Sequence, residues 1–284
     1  MQSRHESING QTRLVGVLGR GISHTLSPLI HNQAMRDLGL NGVYVPFDCQ
    51  TNFPKTDFFQ AMWDAGAWGF NVTVPYKEAA ASLLGQGQWS SINTIYRGKQ
   101  GWEVCSTDGL GFLRGLSEIG KSLDDFEAVV ILGNGGSARA LSRTFHEVHP
   151  SIPITILRRS QERDRDWREQ TRGPLALEAF QPDRLLAHLR RFPSSLVVQT
   201  TSAPLYGETL AEFSDILPSF PGALVDIVYG RVSSLFSRAQ ELGLKCQDGV
   251  PMLVGQALLS QEKWWGRSAS FEHIEPILRQ ALRH

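Results

Sequence analysis

The run Gly133-Asn134-Gly135-Gly136-Ser137-Ala138-Arg139 has the composition and spacing of a loop that holds phosphate. Gly133, Gly135 and Ala138 fit the pattern G-x-G-x-x-G/A. In that pattern the first glycine permits a tight turn and the second lets backbone amides approach a pyrophosphate. The small third residue lets a helix pack against the sheet. The apolar stretch Ala128 to Leu132 precedes the run directly, and Ala138 to Glu147 reads as a helix. That context favours a dinucleotide site over an ordinary strand-to-helix turn, because a helix N-terminus aims unpaired amides at phosphate.

An NAD-preferring site usually carries Asp or Glu about 20 residues after the glycines, at the end of the next strand. Here Leu157 is followed by Arg158, Arg159 and Ser160, with Arg163 close behind. Guanidinium groups suit a 2′-phosphate, since the planar fork donates two charge-assisted hydrogen bonds. The expected cofactor is therefore NADP rather than NAD. The acids Glu162, Asp164, Asp166 and Glu169 leave a solvated helix face as the plainer reading of the same arginines.

Three polar clusters lie upstream. Thr25 and Ser27, just before Pro28, alternate, so in extended chain their hydroxyls share one side. Asn71 and Thr73 alternate likewise, and Lys77 stands beyond Pro75. Asn93-Thr94 and Thr107-Asp108 make the third cluster. Separately each has an ordinary explanation: Ser-Pro caps a helix, Asn-Thr makes a turn, and a single lysine is usually at the surface. Together they supply neutral hydrogen-bonding groups, one amine and one carboxylate. That set suits a polyhydroxylated small molecule and a proton-transfer pair.

The elements that must position these groups are strands and helices in alternation. Leu14–Leu18, Val43–Phe47 and Phe70–Val74 read as strands, with helices from Ser27 to Leu38 and Phe58 to Ala65 between them. Ile92–Tyr96 and Trp102–Cys105 read as a hairpin. Thr107-Asp108-Gly109 follows, then a helix through Leu116, and residues 121–127 resemble a domain joint. A second run begins at Ala128–Leu132, with later strands at Ile154–Leu157, Ser195–Val198 and Ala223–Ile227. Residues 160–194 read only as polar and arginine-rich, and two amphipathic helices close the chain at Met252–Trp265 and Glu272–Leu282. The pattern implies an α/β fold.

The chain has 284 residues, 41% of them hydrophobic and 20% charged, enough for one large or two ordinary domains with little disorder. Its 28 basic and 28 acidic residues cancel, which argues against a nucleic-acid binder or a polybasic membrane-surface protein. No apolar stretch reaches the length of a membrane span, and the first residues are polar, so a cytoplasmic protein is expected. Cys49, Cys105 and Cys246 form neither a disulfide framework nor a CxxC motif. His24 and His31 lack partners at ligand spacing, so no metal is expected.

The ordered set of motifs resembles the shikimate dehydrogenase family. The matching stretches are Gly19–Asn32, Asn71–Lys77, Ile92–Thr94, Thr107–Gly109, Gly133–Arg139, Val225–Tyr229 and Gly249–Gln256, in family order over nearly the whole chain. The resemblance implies an N-terminal α/β substrate domain and a Rossmann-type NADP-binding domain, with C-terminal helices returning to the first. The implied boundaries are 1–107 with 249–284, and 108–248. The implied activity is the reversible NADPH-dependent reduction of 3-dehydroshikimate to shikimate, towards chorismate and the aromatic amino acids. Lys77 and Asp108 match the family's catalytic pair. Thr25, Ser27, Asn71, Thr73, Asn93, Tyr229 and Gln256 would hold the substrate. Gly133, Asn134, Gly135, Gly136, Ser137 and Ala138 would hold the pyrophosphate, and Arg158, Arg159, Ser160 and Arg163 the adenosine end. The partners implied are small molecules, with no nucleic acid or membrane, for a monomer or homodimer.

The chain departs from the family pattern at four places. Thr25 stands for the usual Ser, Ser106 for the usual Asn and Gln199 for the usual Asn. Val232-Ser233-Ser234 replaces a Thr-Pro pair after Tyr229. Two competing readings are a quinate/shikimate dehydrogenase of the same fold and a catalytically silent NADP-binding regulator. The arginines at 158–159 count against NAD-using quinate enzymes, and retention of both Lys77 and Asp108 counts against the regulator.

Overall fold

The computed structural model describes residues 8–162 and 164–283. The chain divides into two compact units, Met1–Thr107 with Val254–His284, and Asp108–Leu253. The expectation set the return to the first unit at Gly249; the division falls at Val254, inside a helix.

In the first unit, β1 (Arg13–Gly19), α1 (Ser27–Asp37), β2 (Gly42–Asp48), α2 (Thr56–Asp64), β3 (Gly69–Val72), α3 (Lys77–Leu84), β4 (Thr94–Arg97) and β5 (Trp102–Cys105) follow in chain order. The strands form one sheet in the order β2-β1-β3-β4-β5. β1 runs parallel to β2 and β3, and the β3-β4-β5 part is antiparallel. Alternation along the strands sends side chains to two faces. Val15 and Val17 pack with Ile22, Met35, Tyr44 and Trp264, whereas Leu18, Phe70 and Val72 pack with Phe59 and Ala80. Asn71, between Phe70 and Val72, is thereby directed to the Tyr44 side.

The second unit contains α4 (Asp108–Glu118), β6 (Ala128–Leu132), α5 (Gly136–Val148), β7 (Ile154–Arg158), α6 (Asp164–Gln170), β8 (Leu175–Ala179), α7 (Pro182–Arg191), β9 (Ser195–Gln199), α8 (Ala211–Ile216), β10 (Ala223–Asp226), α9 (Ser234–Glu241) and β11 (Lys245–Gln247). The last helices are α10 (Val250–Trp265), in which the units divide, and α11 (Phe271–Ala281) in the first unit. The strands form an all-parallel sheet in the order β11-β10-β9-β6-β7-β8. Counted from β6, this is the 3-2-1-4-5-6 order of a Rossmann fold, whose strand order reverses between β6 and β9. Both faces are covered. Val129 and Ile131 pack under α4 and α5 through Phe112, Leu141 and Phe145. Val130 and Leu132 pack under α7, α8 and α9 through Leu185, Phe213 and Leu235. Burial on both faces is why β6 reads as an unbroken apolar run.

Among residues 160–194, the structure places α6, β8 and α7, where the sequence suggested only polar chain. β8 is an edge strand, and β11 is the other. An edge strand is only partly covered, so it carries no continuous apolar signal.

Candidate active site

In the first unit a buried polar network joins two of the sequence's three clusters, those of Asn71 and of Asn93-Thr94 with Thr107, and brings in Gln256. Asn71 Oδ1 accepts from the Tyr44 hydroxyl at 2.8 Å. Its Nδ2 donates to the Asn93 carbonyl and Ser260 Oγ, both at 3.0 Å, with Thr94 Oγ1 at 3.3 Å. Asn93 Nδ2 donates to Thr107 Oγ1 at 2.9 Å and to Gln256 Oε1 at 3.1 Å. Asn93 Oδ1 accepts from the Thr107 amide at 2.8 Å and from the Thr94 hydroxyl at 2.9 Å. Thr107 Oγ1 donates in turn to the Gln256 carbonyl, 2.9 Å away. A network satisfied in this way rigidifies its site, because each partner lost from a buried group costs about 1–3 kcal/mol.

Thr25 and Ser27 form a second pair. The Thr25 hydroxyl donates to Ser27 Oγ at 3.2 Å. Ser27 is the first residue of α1 rather than its cap, and no side chain caps that helix. The plain capping explanation of this Ser-Pro therefore fails. Lys77 opens α3 after the turn Thr73–Tyr76, in which Val74-Pro75 is cis. Its carbonyl accepts from the Ile92 amide at 3.1 Å, which ties α3 to the residue before Asn93. Thr73 and Lys77 are both half-buried.

In the second unit, the loop after β6 lies at the strand-order reversal. Gly133 has φ +108°, and a Cβ there would lie 2.9 Å from Thr200 Oγ1 and 3.0 Å from Thr201 Cγ2. Gly135 is the N-cap of α5, has no side-chain cap, and faces open space where a Cβ would stand. The loop thus offers a helix N-terminus with no described atom within 4 Å of where a Gly135 Cβ would stand, which fits a pyrophosphate. Asn134 in the loop and Gly136 and Ser137 in the first turn of α5 are half-buried, and Ala138 is fully buried against the sheet. Arg158, the last residue of β7, is buried, whereas Arg159 is exposed and lies 5.0 Å over the Phe180 ring. Ser160 Oγ accepts from the Glu162 amide. Arg163 lies outside the described residues. Asp108 begins α4 and is buried, directly after Thr107 in the chain. Tyr229 is half-buried, just past β10.

Residues 17–92 match the family model described as the shikimate dehydrogenase substrate binding domain. The shikimate dehydrogenase (NADP(+)) of Thermosynechococcus vestitus is 35% identical, with 97% of this chain and 98% of that relative covered. The enzyme of the same name from Bacillus licheniformis is 32% identical, with 95% and 97% covered. This chain belongs to the shikimate dehydrogenase family. Among solved structures, shikimate dehydrogenase from Aquifex aeolicus gives a TM-score of 0.83 at 27% identity, covering 96% of this chain and all of that one. Shikimate 5-dehydrogenase from Thermus thermophilus, in complex with NADP(H) and shikimate, gives 0.76 at 27% identity, covering 95% and 99%.

Against the family pattern, the departures now have positions. Gln199 is fully buried, and its side chain clasps Thr201 from both ends, accepting from the amide at 2.6 Å and donating to the carbonyl at 2.9 Å. It also reaches Asp226 Oδ1 at 3.4 Å. Gln199 therefore shapes the β9 loop that abuts Gly133. Ser233 caps α9, accepting from the Phe236 amide at 3.1 Å, and its hydroxyl donates to Asp226 Oδ2. It supplies a cap without the usual Thr-Pro. Burial pushes the Asp226 carboxyl above its ordinary value, against the donors around it. His31 is buried in a stack with Tyr44, centroids 4.2 Å apart, and burial holds its pKa down to about 3. Among the described residues no cluster of His, Cys, Asp and Glu is placed to hold a metal ion, and no helix is long and apolar enough to cross a membrane.

The sequence did not single out Tyr44, Ser260, Asp226 or Glu208. Tyr44 and Ser260 come to Asn71 through sheet register and the return of the chain at α10, and Asp226 comes to Gln199 by the pairing of β9 with β10. Glu208 lies beside Arg159.

Proposed function

We propose that this chain catalyses the reversible, NADPH-dependent reduction of 3-dehydroshikimate to shikimate in the cytoplasm, with Met1–Thr107 and Val254–His284 as substrate domain and Asp108–Leu253 as cofactor domain. The observation that carries this reading is the buried amide and hydroxyl network from Asn71 to Gln256, which ends on Thr107, the residue before Asp108. Such a set recognises hydroxyls without adding charge. The full-length similarity to shikimate dehydrogenases supports it.

A ketone becomes an alcohol when hydride adds to carbon and a proton to oxygen. Bound NADPH supplies the hydride. Lys77 gives the proton to the carbonyl oxygen in reduction and takes it back from the hydroxyl in oxidation. Asp108 orients the lysine and accepts a hydrogen bond from a substrate hydroxyl. Thr25 and Ser27 donate to the carboxylate. Thr73, Asn93, Gln256 and Tyr229 bind the ring hydroxyls, and Asn71 holds Asn93 in place as well as facing the substrate. The Gly133–Ala138 loop binds the pyrophosphate. Arg159, with Arg158, Ser160 and Arg163, takes the 2′-phosphate and adenosine. Thr25 and Ser106 leave room for a change in selectivity between shikimate and quinate.

The test is a cofactor and substrate matrix: shikimate and quinate, each with NADP and NAD. The highest kcat/KM is expected for shikimate with NADP. A preference for quinate with NAD overturns the proposal.

A further inference from the structure

The end of β7 lacks the carboxylate of an NAD site, yet a carboxylate arrives there from another loop. Glu208 Oε2 lies 3.0 Å from the Arg159 guanidinium, across a separation of 49 residues. Phe180 lies beneath the same guanidinium. The Glu208 backbone is placed by a turn: Gly207 takes the left-handed conformation at φ +79°, and the Glu208 amide donates to the Ala203 carbonyl at 3.0 Å. The turn follows Thr200 and Thr201, which pack on Gly133, so the acid, the arginine and the glycine loop belong to neighbouring strand ends. Both side chains of the pair are more than half exposed, at 60% and 56%. An exposed pair is weakly held and yields to a stronger anion.

We propose that Glu208 sets the ratio of NADP to NAD use, by competing with the cofactor's 2′-phosphate for Arg159. The inference rests on the NADP reading of this site. A phosphate carries nearly two charges and fits the guanidinium fork, so it displaces the carboxylate. The 2′-hydroxyl of NAD brings no charge. It leaves the Glu208–Arg159 pair intact and donates a hydrogen bond to the carboxylate, as a ribose does to the acid of an NAD site. Glu208 therefore weakens NADP and spares NAD.

The test is calorimetric titration of the full chain with NADP and with NAD, at low and high salt, for the wild type, E208Q, R159A and R159A/E208Q. E208Q should tighten NADP about three- to tenfold at low salt, with a smaller gain at high salt, and leave NAD within about twofold or slightly weaker. The gain should vanish in the R159A background. No change in E208Q, an equal change for both cofactors, or a gain that survives without Arg159 overturns the proposal; a merely structural role for Glu208 predicts the equal change. Shikimate oxidation by the wild type reports separately on the proposed function. Absent activity alongside an NADP-specific gain in E208Q sinks that function and leaves the competition standing. Activity with NADP alongside unchanged binding by E208Q sinks the competition alone.

Discussion

A single amine stands in the polar set of the first unit's clusters, and the chemistry of proton transfer bears on it. Lys77 begins α3, so its position depends on the turn before it and on the bond from the Ile92 amide to its carbonyl, neither of which uses its side chain. Removing the amine leaves both of these in place. Lys77→Ala is expected to lower kcat by about 10²-fold or more, the size of a lost general acid–base group, with little change in KM for shikimate. Lys77→Arg keeps the charge, but a guanidinium holds its proton far above neutral pH, so it should stay slow. Steady-state kinetics beside a urea unfolding curve check both variants. Near-normal turnover in either removes Lys77 from proton transfer. At this scale the polar residue types that gather in the first unit were readable from spacing, because motifs such as Asn71–Lys77 are local. Their supports were not. Asn71 meets Thr94 only through the antiparallel register of β3 and β4, and meets Ser260 across 189 residues.

The ends of β6 and β9 show how elements divide labour around one loop. Gly133 needs its conformation and its closeness to Thr200 and Thr201 for the fold itself, whereas Gly135 keeps an approach open. The two glycines should respond differently to one added methyl. Gly133→Ala places a side chain in a left-sided conformation against two threonines and should cost about 1–3 kcal/mol of stability. Gly135→Ala meets no protein atom and should cost less than about 1 kcal/mol, the penalty of a poorer N-cap. It should nonetheless weaken NADP, since the methyl stands where the pyrophosphate must pass. Urea midpoints and NADP titration separate the two effects. A Gly135→Ala protein that binds NADP normally would remove the loop from the cofactor site. Central strands such as β6 were legible because both faces are buried, which forces an apolar run. The edge strands β8 and β11 and the exposed helices α6 and α7 were not, because partial exposure admits the polar residues that also fill loops.

The whole molecule carries no net charge at neutral pH, so its response to acid begins with particular buried groups rather than with general repulsion. His31 in the first unit and His188 in the second are both buried. Burial lowers their pKa values to about 3 and about 4 respectively, with the Arg191 charge adding to the effect on His188. In the unfolded chain each titrates near its ordinary value of about 6.5. As pH falls below that value, the unfolded state takes up protons that the folded state refuses. Stability is therefore fully present above about pH 6.5 and drains away towards pH 4 and below. Each histidine should remove on the order of 2 kcal/mol between about pH 7.5 and pH 5. Asp226 works the other way: burial raises its carboxyl, so as pH falls the folded state takes up a proton before the unfolded chain does, and the cost of the buried charge is relieved down to the ordinary carboxylate range. The neutral amides of His31→Gln and His188→Gln should each flatten the acid slope, the first in the unfolding of the first unit and the second in that of the second unit. Urea unfolding followed at both pH values measures it. Equal pH slopes in wild type and both variants would mean that these histidines accept protons without unfolding, and that acid sensitivity arises from the carboxylates instead.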